Sequence, residues 1–147
     1  MSTSKLQVEQ IIAYLSERGE TISVAESLTA GGLANALTSA SGSSAVFVGG
    51  LTAYRNEIKS TMLDVDPQII SDFTVVSEEV ANAMADGARK VFGTTWAIAT
   101  TGAAGPDPLE GHAPGSVWIS IRGPINQALQ LNLEGGREQV RNGTIST

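Results

Sequence analysis

An α/β layered domain with a mixed sheet is the fold class this sequence predicts, on three observations. Helical and strand patterns alternate along the chain. No repeat, low-complexity tract or linker interrupts them. The last two strand patterns are joined by only Gly123-Pro124-Ile125-Asn126. Alternation of this kind builds a sheet covered by helices. A link that short cannot make a parallel crossover, so the sheet must contain an antiparallel pair. A chain of 147 residues fits a single domain, 1–147, that buries roughly two-thirds of its unfolded surface.

The elements follow in order. Val8, Ile11, Ile12 and Leu15 share one helical face, with Ser4-Lys5-Leu6-Gln7 as a capping box and Gly19 as the stop. Thr21 to Ala25 reads as a short strand ending at Glu26-Ser27. Thr29 to Ala40 reads as a helix despite Gly31 and Gly32, and Ala45 to Tyr54 as a strand. The Gly49-Gly50 pair inside that strand predicts a bulge or a close approach to the backbone. Asp66-Pro67 is a cap followed by proline at the first helical position. Ser77-Glu78-Glu79 caps a stronger helix with Val80, Met84 and Val91 on its inner face. Strands follow at Thr95 to Thr100, Ser116 to Arg122 and Gln127 to Leu133, with a Gly- and Pro-rich loop from Gly102 to Gly115. The chain turns helical again from Gly136.

Composition narrows the function classes. Fifteen acidic residues against nine basic ones give a net charge of −6, which argues against DNA or anionic lipid as a partner. Cysteine is absent, which removes disulfides and thiolate chemistry. Apolar stretches such as Ala45-Val46-Phe47-Val48 fall far short of the roughly 20 residues that span a membrane. Met1-Ser2-Thr3-Ser4 does not open a signal segment, so a cytoplasmic protein is expected. No clustered His-carboxylate spacing predicts a metal site, and no cofactor is required.

Four segments could carry chemistry. Ser27 sits where a strand gives way to a helix, the place where open α/β sheets bind ligands. The next residues, Leu28-Thr29-Ala30-Gly31-Gly32, offer unpaired N–H groups for a phosphate or an oxyanion. Such a serine is also a common helix cap. Tyr54 and Lys59 form the second segment: a lysine acts as general base only when desolvation or nearby positive charge depresses its pKa, and a tyrosine hydroxyl could relay the proton. Lys59 could equally be a solvated side chain beside a half-buried tyrosine. Thr100-Thr101-Gly102-Ala103-Ala104-Gly105-Pro106 is a small-residue loop that lets a ligand approach the backbone, or an ordinary turn. Arg137 and Arg141, four apart on the last helix, form either an anion fork or surface pairs with Glu134 or Glu138. His112, the only histidine, lies in the Pro108–Gly115 loop and is expected at the surface; no G-x-S-x-G elbow accompanies it.

Taken together, the segments AESLTAGG (25–32), SGSSAVFVGGLTAYRNEIK (41–59), VSEEVANAMADGA (76–88), TTGAAGPD (100–107), PGSVWISI (114–121) and GGREQVR (135–141) resemble the CinA carboxyl-terminal domain family. These are the competence/damage-inducible proteins that include PncC-type nicotinamide-nucleotide amidases. The resemblance covers nearly the whole chain from Ser4 on. It implies a three-layer α/β/α sandwich with a mixed, mostly parallel five-stranded sheet. It further implies an amidohydrolase of pyridine nucleotide salvage that converts nicotinamide mononucleotide to nicotinic acid mononucleotide and ammonia. By the same likeness Ser27, Tyr54 and Lys59 are catalytic, and Thr29, Gly31, Gly32, Thr101, Gly102, Gly105 and Arg141 bind the substrate. Neutral Lys59, acting through Tyr54, takes the Ser27 proton. Thr101 joins the backbone in holding the oxyanion, and Arg141 with the Thr101–Gly105 loop holds the phosphate. Family habit suggests a homo-oligomer. The chain departs from the usual E-S-C-T-G-G form at Leu28 and Ala30, which add bulk beside Ser27. It departs again at 107–113, where a lysine-containing, Gly-Thr-rich stretch is typical. These departures keep two alternatives open, an amidase for another small substrate and a nucleotide-binding homologue without catalysis. The amino-terminal pyrophosphatase-like domain of long-form members has no counterpart in these segments, so its activity is not expected.

Overall fold

The computed structural model describes residues 3–147, and the side chains of residues 5–147. Its elements run α1 (Thr3–Arg18), β1 (Ile22–Glu26), α2 (Gly32–Thr38), β2 (Phe47–Thr52), α3 (Asn56–Leu63), α4 (Pro67–Phe73), α5 (Glu78–Phe92), β3 (Trp96–Gly102), β4 (Ser116–Arg122), β5 (Gln127–Asn132) and α6 (Arg137–Ser146). A short 3-10 turn, Ser43–Ala45, precedes β2. The strands form one five-stranded sheet in the order β2-β1-β3-β4-β5. β1 pairs in parallel with β2 and β3, while β3–β4 and β4–β5 are antiparallel, the latter as the short Gly123–Asn126 link requires. Only β4 therefore runs against the rest, and in that sense the sheet is mostly parallel.

Helices cover both faces. One face packs Ala25, Ala97, Ala99 and Trp118 against α5 and the α3–α4 segment through Val80, Met84, Ala85, Leu63 and Val65. The opposite face packs Ile22, Val24 and Ile98 against α1 and α2. Val117, Ile119 and Leu131 meet Val140 of α6 there. β1 is buried along its whole length because it has a strand on each side and a helix layer on each face. Among the described residues no helix is long and apolar enough to cross a membrane.

Local chemistry accounts for most of the element ends. The Asp66 side chain accepts from Gln68 N (2.9 Å) ahead of Pro67, and Ser77 Oγ accepts from Val80 N (3.2 Å). Gly49-Gly50 delivers both of the expected features. The register slips between Ile22 and Ser23, leaving Val48 without a partner on β1. A Cβ at Gly49 would meet the Phe92 ring at 2.7 Å.

Several boundaries and faces differ from the sequence expectation. The first helix already includes Thr3, so Ser4 is inside it; the Ser4 side chain of the expected capping box lies outside the described residues. Ile11 is exposed, whereas Ile12 and Leu15 are buried in the core and Val8 packs against them. Val91 is exposed as well; the inner face of α5 is completed by Ala81, Ala85, Gly87 and Ala88. The helix expected from Thr29 starts only at Gly32, since residues 27–31 form a turn.

Candidate active site

The crossover from β1 runs outward to β2, and the next runs back from β2 to β3 on the other side of β1. The crevice at the carboxyl ends of β1 and β3 is thus the switch point of the sheet, where α/β folds bind ligands. Ser27 follows the last residue of β1, and the Gly102–Gly105 loop follows β3. A cavity of about 340 Å³ opens there, lined by Ser27, Leu28, Tyr54, Asn56, Lys59, the 102–109 loop and Arg137. That volume falls in the range of small-molecule sites.

The turn that presents Ser27 is tightly built. Ser27 N donates to Thr100 O (3.1 Å), Ala30 N to Ser27 O (3.2 Å) and Gly32 N to Thr29 O (2.9 Å). Below it, the buried Thr29 and Thr100 hydroxyls bond each other at 2.8 Å. Ala30 has φ 48°, a left-handed conformation that costs an L-residue about 1 kcal/mol and that glycine adopts freely. This accounts physically for the glycine in the usual family form. Ala30 is exposed and does not line the cavity, whereas Leu28 does line it and packs against Val117, Ile119 and Val140.

Lys59 lies on the buried side of α3 with Leu63 one turn on, while Ile58 and Met62 face out. Only 1% of it is exposed. Its Nζ donates to Ser27 Oγ at 3.1 Å and to the backbone carbonyl of Tyr54 at 3.0 Å. Burial pulls its pKa down from 10.5 to about 8, against the opposing charges of Glu110 and Glu57. Roughly a tenth of the side chain is then neutral at pH 7. A neutral amine in this position keeps an N–H on the Tyr54 carbonyl and turns its lone pair toward the serine hydroxyl.

The structure thus brings Ser27 and Lys59 together without a tyrosine hydroxyl between them. Tyr54 contributes its carbonyl to Lys59, and its hydroxyl accepts instead from Arg137 Nη2 (2.7 Å). Arg137 Nη1 also donates to Gly105 O (2.6 Å), so this guanidinium bridges the two loops at the cavity mouth. Neither arginine of α6 makes an ion pair with Glu134 or Glu138. Arg141 does not line the Ser27 cavity; its Nε donates to Leu28 O (3.0 Å) and its Nη2 to Thr29 O (3.4 Å). Thr101 is spent on Val75 O (2.7 Å), which anchors the end of β3 to the residue before the α5 cap segment. Gly31, at φ 94°, serves as the N-cap of α2, and Gly32 leaves room for Ile145. Of the residues expected to bind substrate, Gly102 and Gly105 line the Ser27 cavity. Thr29, Gly31, Gly32, Thr101 and Arg141 do not; Thr29, Gly32 and Arg141 line a second pocket that also has Arg137 in its wall.

The 107–113 loop folds over this cavity as a small hairpin closed by Leu109 and His112. Glu110 latches it, accepting from Val75 N (2.6 Å) and Asn56 Nδ2 (3.3 Å). His112, half-buried rather than at the surface, sits 2.7 Å from Thr74 Oγ1 and outside the cavity. Among the described residues no group of His, Asp or Glu side chains is placed to hold a metal ion. The sequence offers Arg137 only as half of a fork with Arg141 and gives no role to Glu26. The first differs from Arg141 only in where it stands on α6. The signal for the second, a carboxylate seven residues ahead of a helical amide, exists only once the turn has closed.

A family model, the CinA C-terminal domain, matches residues 5–147. The chain belongs to the CinA C-terminal domain family. A CinA-like protein of Synechocystis is 47% identical over 134 residues, 88% of this chain and 32% of that protein. A putative competence-damage inducible protein of Pediococcus pentosaceus is 39% identical over 133 residues, 89% of this chain and 32% of that one. The chain thus spans about a third of the length of these curated relatives. Among solved structures, the competence/damage inducible protein CihA of Agrobacterium tumefaciens superposes with a TM-score of 0.94 at 31% identity, covering 99% of this chain and 91% of that one. A CinA superfamily protein of Escherichia coli gives 0.95 at 28% identity, covering 98% and 85%. The three-layer CinA fold expected from the sequence is the fold observed.

Proposed function

We propose that this domain is an amidohydrolase that converts nicotinamide mononucleotide to nicotinic acid mononucleotide and ammonia, with Ser27 as nucleophile and Lys59 as base. The observation that carries the chemistry is the buried Lys59 Nζ, 3.1 Å from Ser27 Oγ at the switch-point cavity. The mononucleotide enters through the likeness of the site-forming segments to PncC-type amidases. Neutral Lys59 takes the Ser27 proton as Oγ attacks the carboxamide carbon. Amides without a protein acceptor among the described residues, those of Leu28, Ala104 and Gly105, line the cavity and are the donors available to the oxyanion. As the C–N bond breaks, the Lys59 ammonium returns its proton to the leaving nitrogen, which departs as ammonia. Water then attacks the Ser27 ester, Lys59 accepting its proton, and releases the carboxylate and the free hydroxyl. The wild-type chain is expected to release ammonia from the mononucleotide, and Ser27→Ala to lower that rate by at least about a thousandfold. Ammonia release that Ser27→Ala leaves intact would sink the covalent scheme. Activity confined to other carboxamides would move the substrate and keep the chemistry.

Arg137, with one face on the cavity and its other bonds at the mouth, is the cation placed for the substrate phosphate. Arg137→Ala should raise KM for the mononucleotide about 10- to 100-fold, on the scale of one charge-assisted pair, while leaving the corresponding nucleoside, which lacks the phosphate, unaffected. Arg141→Ala should instead lower the melting temperature, since it strands the Leu28 carbonyl and removes a second donor from Thr29 O. Steady-state kinetics on both substrates and a thermal melt decide between the two arginines; an equal KM effect from both would remove the distinction.

A further inference from the structure

Glu26 is only 1% exposed, and among the described residues it has no salt-bridge partner. Its carboxylate is nevertheless fully used: Oε1 accepts from Leu33 N at 2.7 Å and Oε2 from Ala34 N at 3.1 Å. Its carbonyl accepts from Ala53 N at 2.8 Å, one residue before the Tyr54 carbonyl that holds Lys59. One residue thus fastens the Ser27 turn at its start, closes it onto α2 at its end, and ties it to the segment that orients the base.

We infer that Glu26 is a positioning residue, whose two-acceptor carboxylate sets the Ser27 Oγ–Lys59 Nζ alignment by pinning the turn between β1 and α2. The inference rests on the reading of Ser27 and Lys59 as nucleophile and base. A carboxylate is needed because two N–H donors face it. Glutamine offers one oxygen and turns an NH2 group toward the second donor, and aspartate is one methylene too short to reach both. Charge is not the route, since the acidic groups acting on Lys59 are Glu110 and Glu57. Misplacing reacting groups by about an ångström can cost on the order of a hundredfold in rate.

The test uses the full chain and a fluorophosphonate that phosphonylates an activated serine, with labelling rate followed against pH and ammonia release from nicotinamide mononucleotide measured in parallel. Glu26→Gln and Glu26→Asp, held well below their melting temperatures, should both lower the plateau labelling rate and kcat by about tenfold to a hundredfold. KM and the pH midpoint should stay where they are in the wild type. A purely structural role would lower the melting temperature and leave these rates alone, and that result overturns the inference. Recovery by aspartate would assign the effect to charge and overturn it equally. Should the variants not fold, amide exchange in the wild type decides: slow exchange at Leu33 and Ala34 supports the pin, and open-chain rates at both refute it. Labelling of Ser27 without ammonia release would sink the amidase reading while the inference stands. Wild-type protein that Ser27→Ala shows to be unlabelled at Ser27 would remove the nucleophile reading and this inference with it.

Discussion

Replacing Lys59 with methionine will abolish turnover and make the protein more stable at neutral pH. The loss of activity follows from removing the only base bonded to Ser27 Oγ among the described residues, and should amount to at least about a thousandfold. The gain in stability follows from the burial that lowers its pKa from 10.5 to about 8. A base whose folded pKa lies below its unfolded value binds its proton less well in the folded state. The unfolded chain then binds more protons between those two values, and stability rises with pH across that window. Below about 8 the penalty is fully present, on the order of 3 kcal/mol at 1.36 kcal/mol per unit; above 10.5 it is gone. Methionine removes it while keeping the length and apolar stem. Part of the gain is offset because Ser27 Oγ and the Tyr54 carbonyl lose their partner, a cost of about 1–2 kcal/mol. A net gain of about 1–2 kcal/mol at pH 7, shrinking toward pH 10, is expected from denaturant melts at the two pH values. A variant less stable than wild type at pH 7 would mean that the buried ammonium is compensated. In the wild type, kcat/KM should climb from pH 6 and level off above about 8 as Lys59 becomes neutral; a flat profile would remove it as the base.

The parts of this molecule that the sequence makes legible are those decided within a few residues. Asp66-Pro67 and Ser77 cap their helices because capping is a contact between neighbours, and the Gly123–Asn126 link can only join antiparallel strands. Parts decided by packing across the sheet are not legible in this way. Ile11 and Val91 satisfy a helical period yet face outward, because the inner sides of their helices are already filled by Ile12 and Leu15 and by Ala81, Ala85 and Ala88. The site divides along the same line. Pattern and family likeness place Ser27 and Lys59 in one site, and the structure puts them within hydrogen-bond distance. Whether Tyr54 lends its hydroxyl or its carbonyl depends on how the chain enters α3, and whether Arg137 or Arg141 faces the cavity depends on where α6 docks. Neither can be read from spacing.

Gly87→Ala should destabilise the protein by about 2–4 kcal/mol, although the same change in an ordinary helix interior stabilises by up to about 1 kcal/mol. The sign is decided by one contact. A Cβ at Gly87 of α5 would overlap the carbonyl group of Leu63, the last residue of α3. Backbone is there, and no rotamer can relieve it. Moving it means moving the end of α3, where Asp64 adopts φ 58° and donates to the Lys59 carbonyl, as does Val65. The substitution should therefore reach the site as well, lowering kcat by displacing Lys59 from Ser27 in whatever fraction stays folded. Gly93→Ala separates the two possible causes. Gly93 has φ 64° and nothing within 4 Å of the place a Cβ would take, so it should cost only the left-handed strain of about 1 kcal/mol and leave kcat unchanged. Denaturant melts and steady-state rates on both variants check this. If Gly87→Ala matches wild type within about 0.5 kcal/mol, then α3 can slide on α5, and the close helix contact is not what holds Lys59 beneath Ser27.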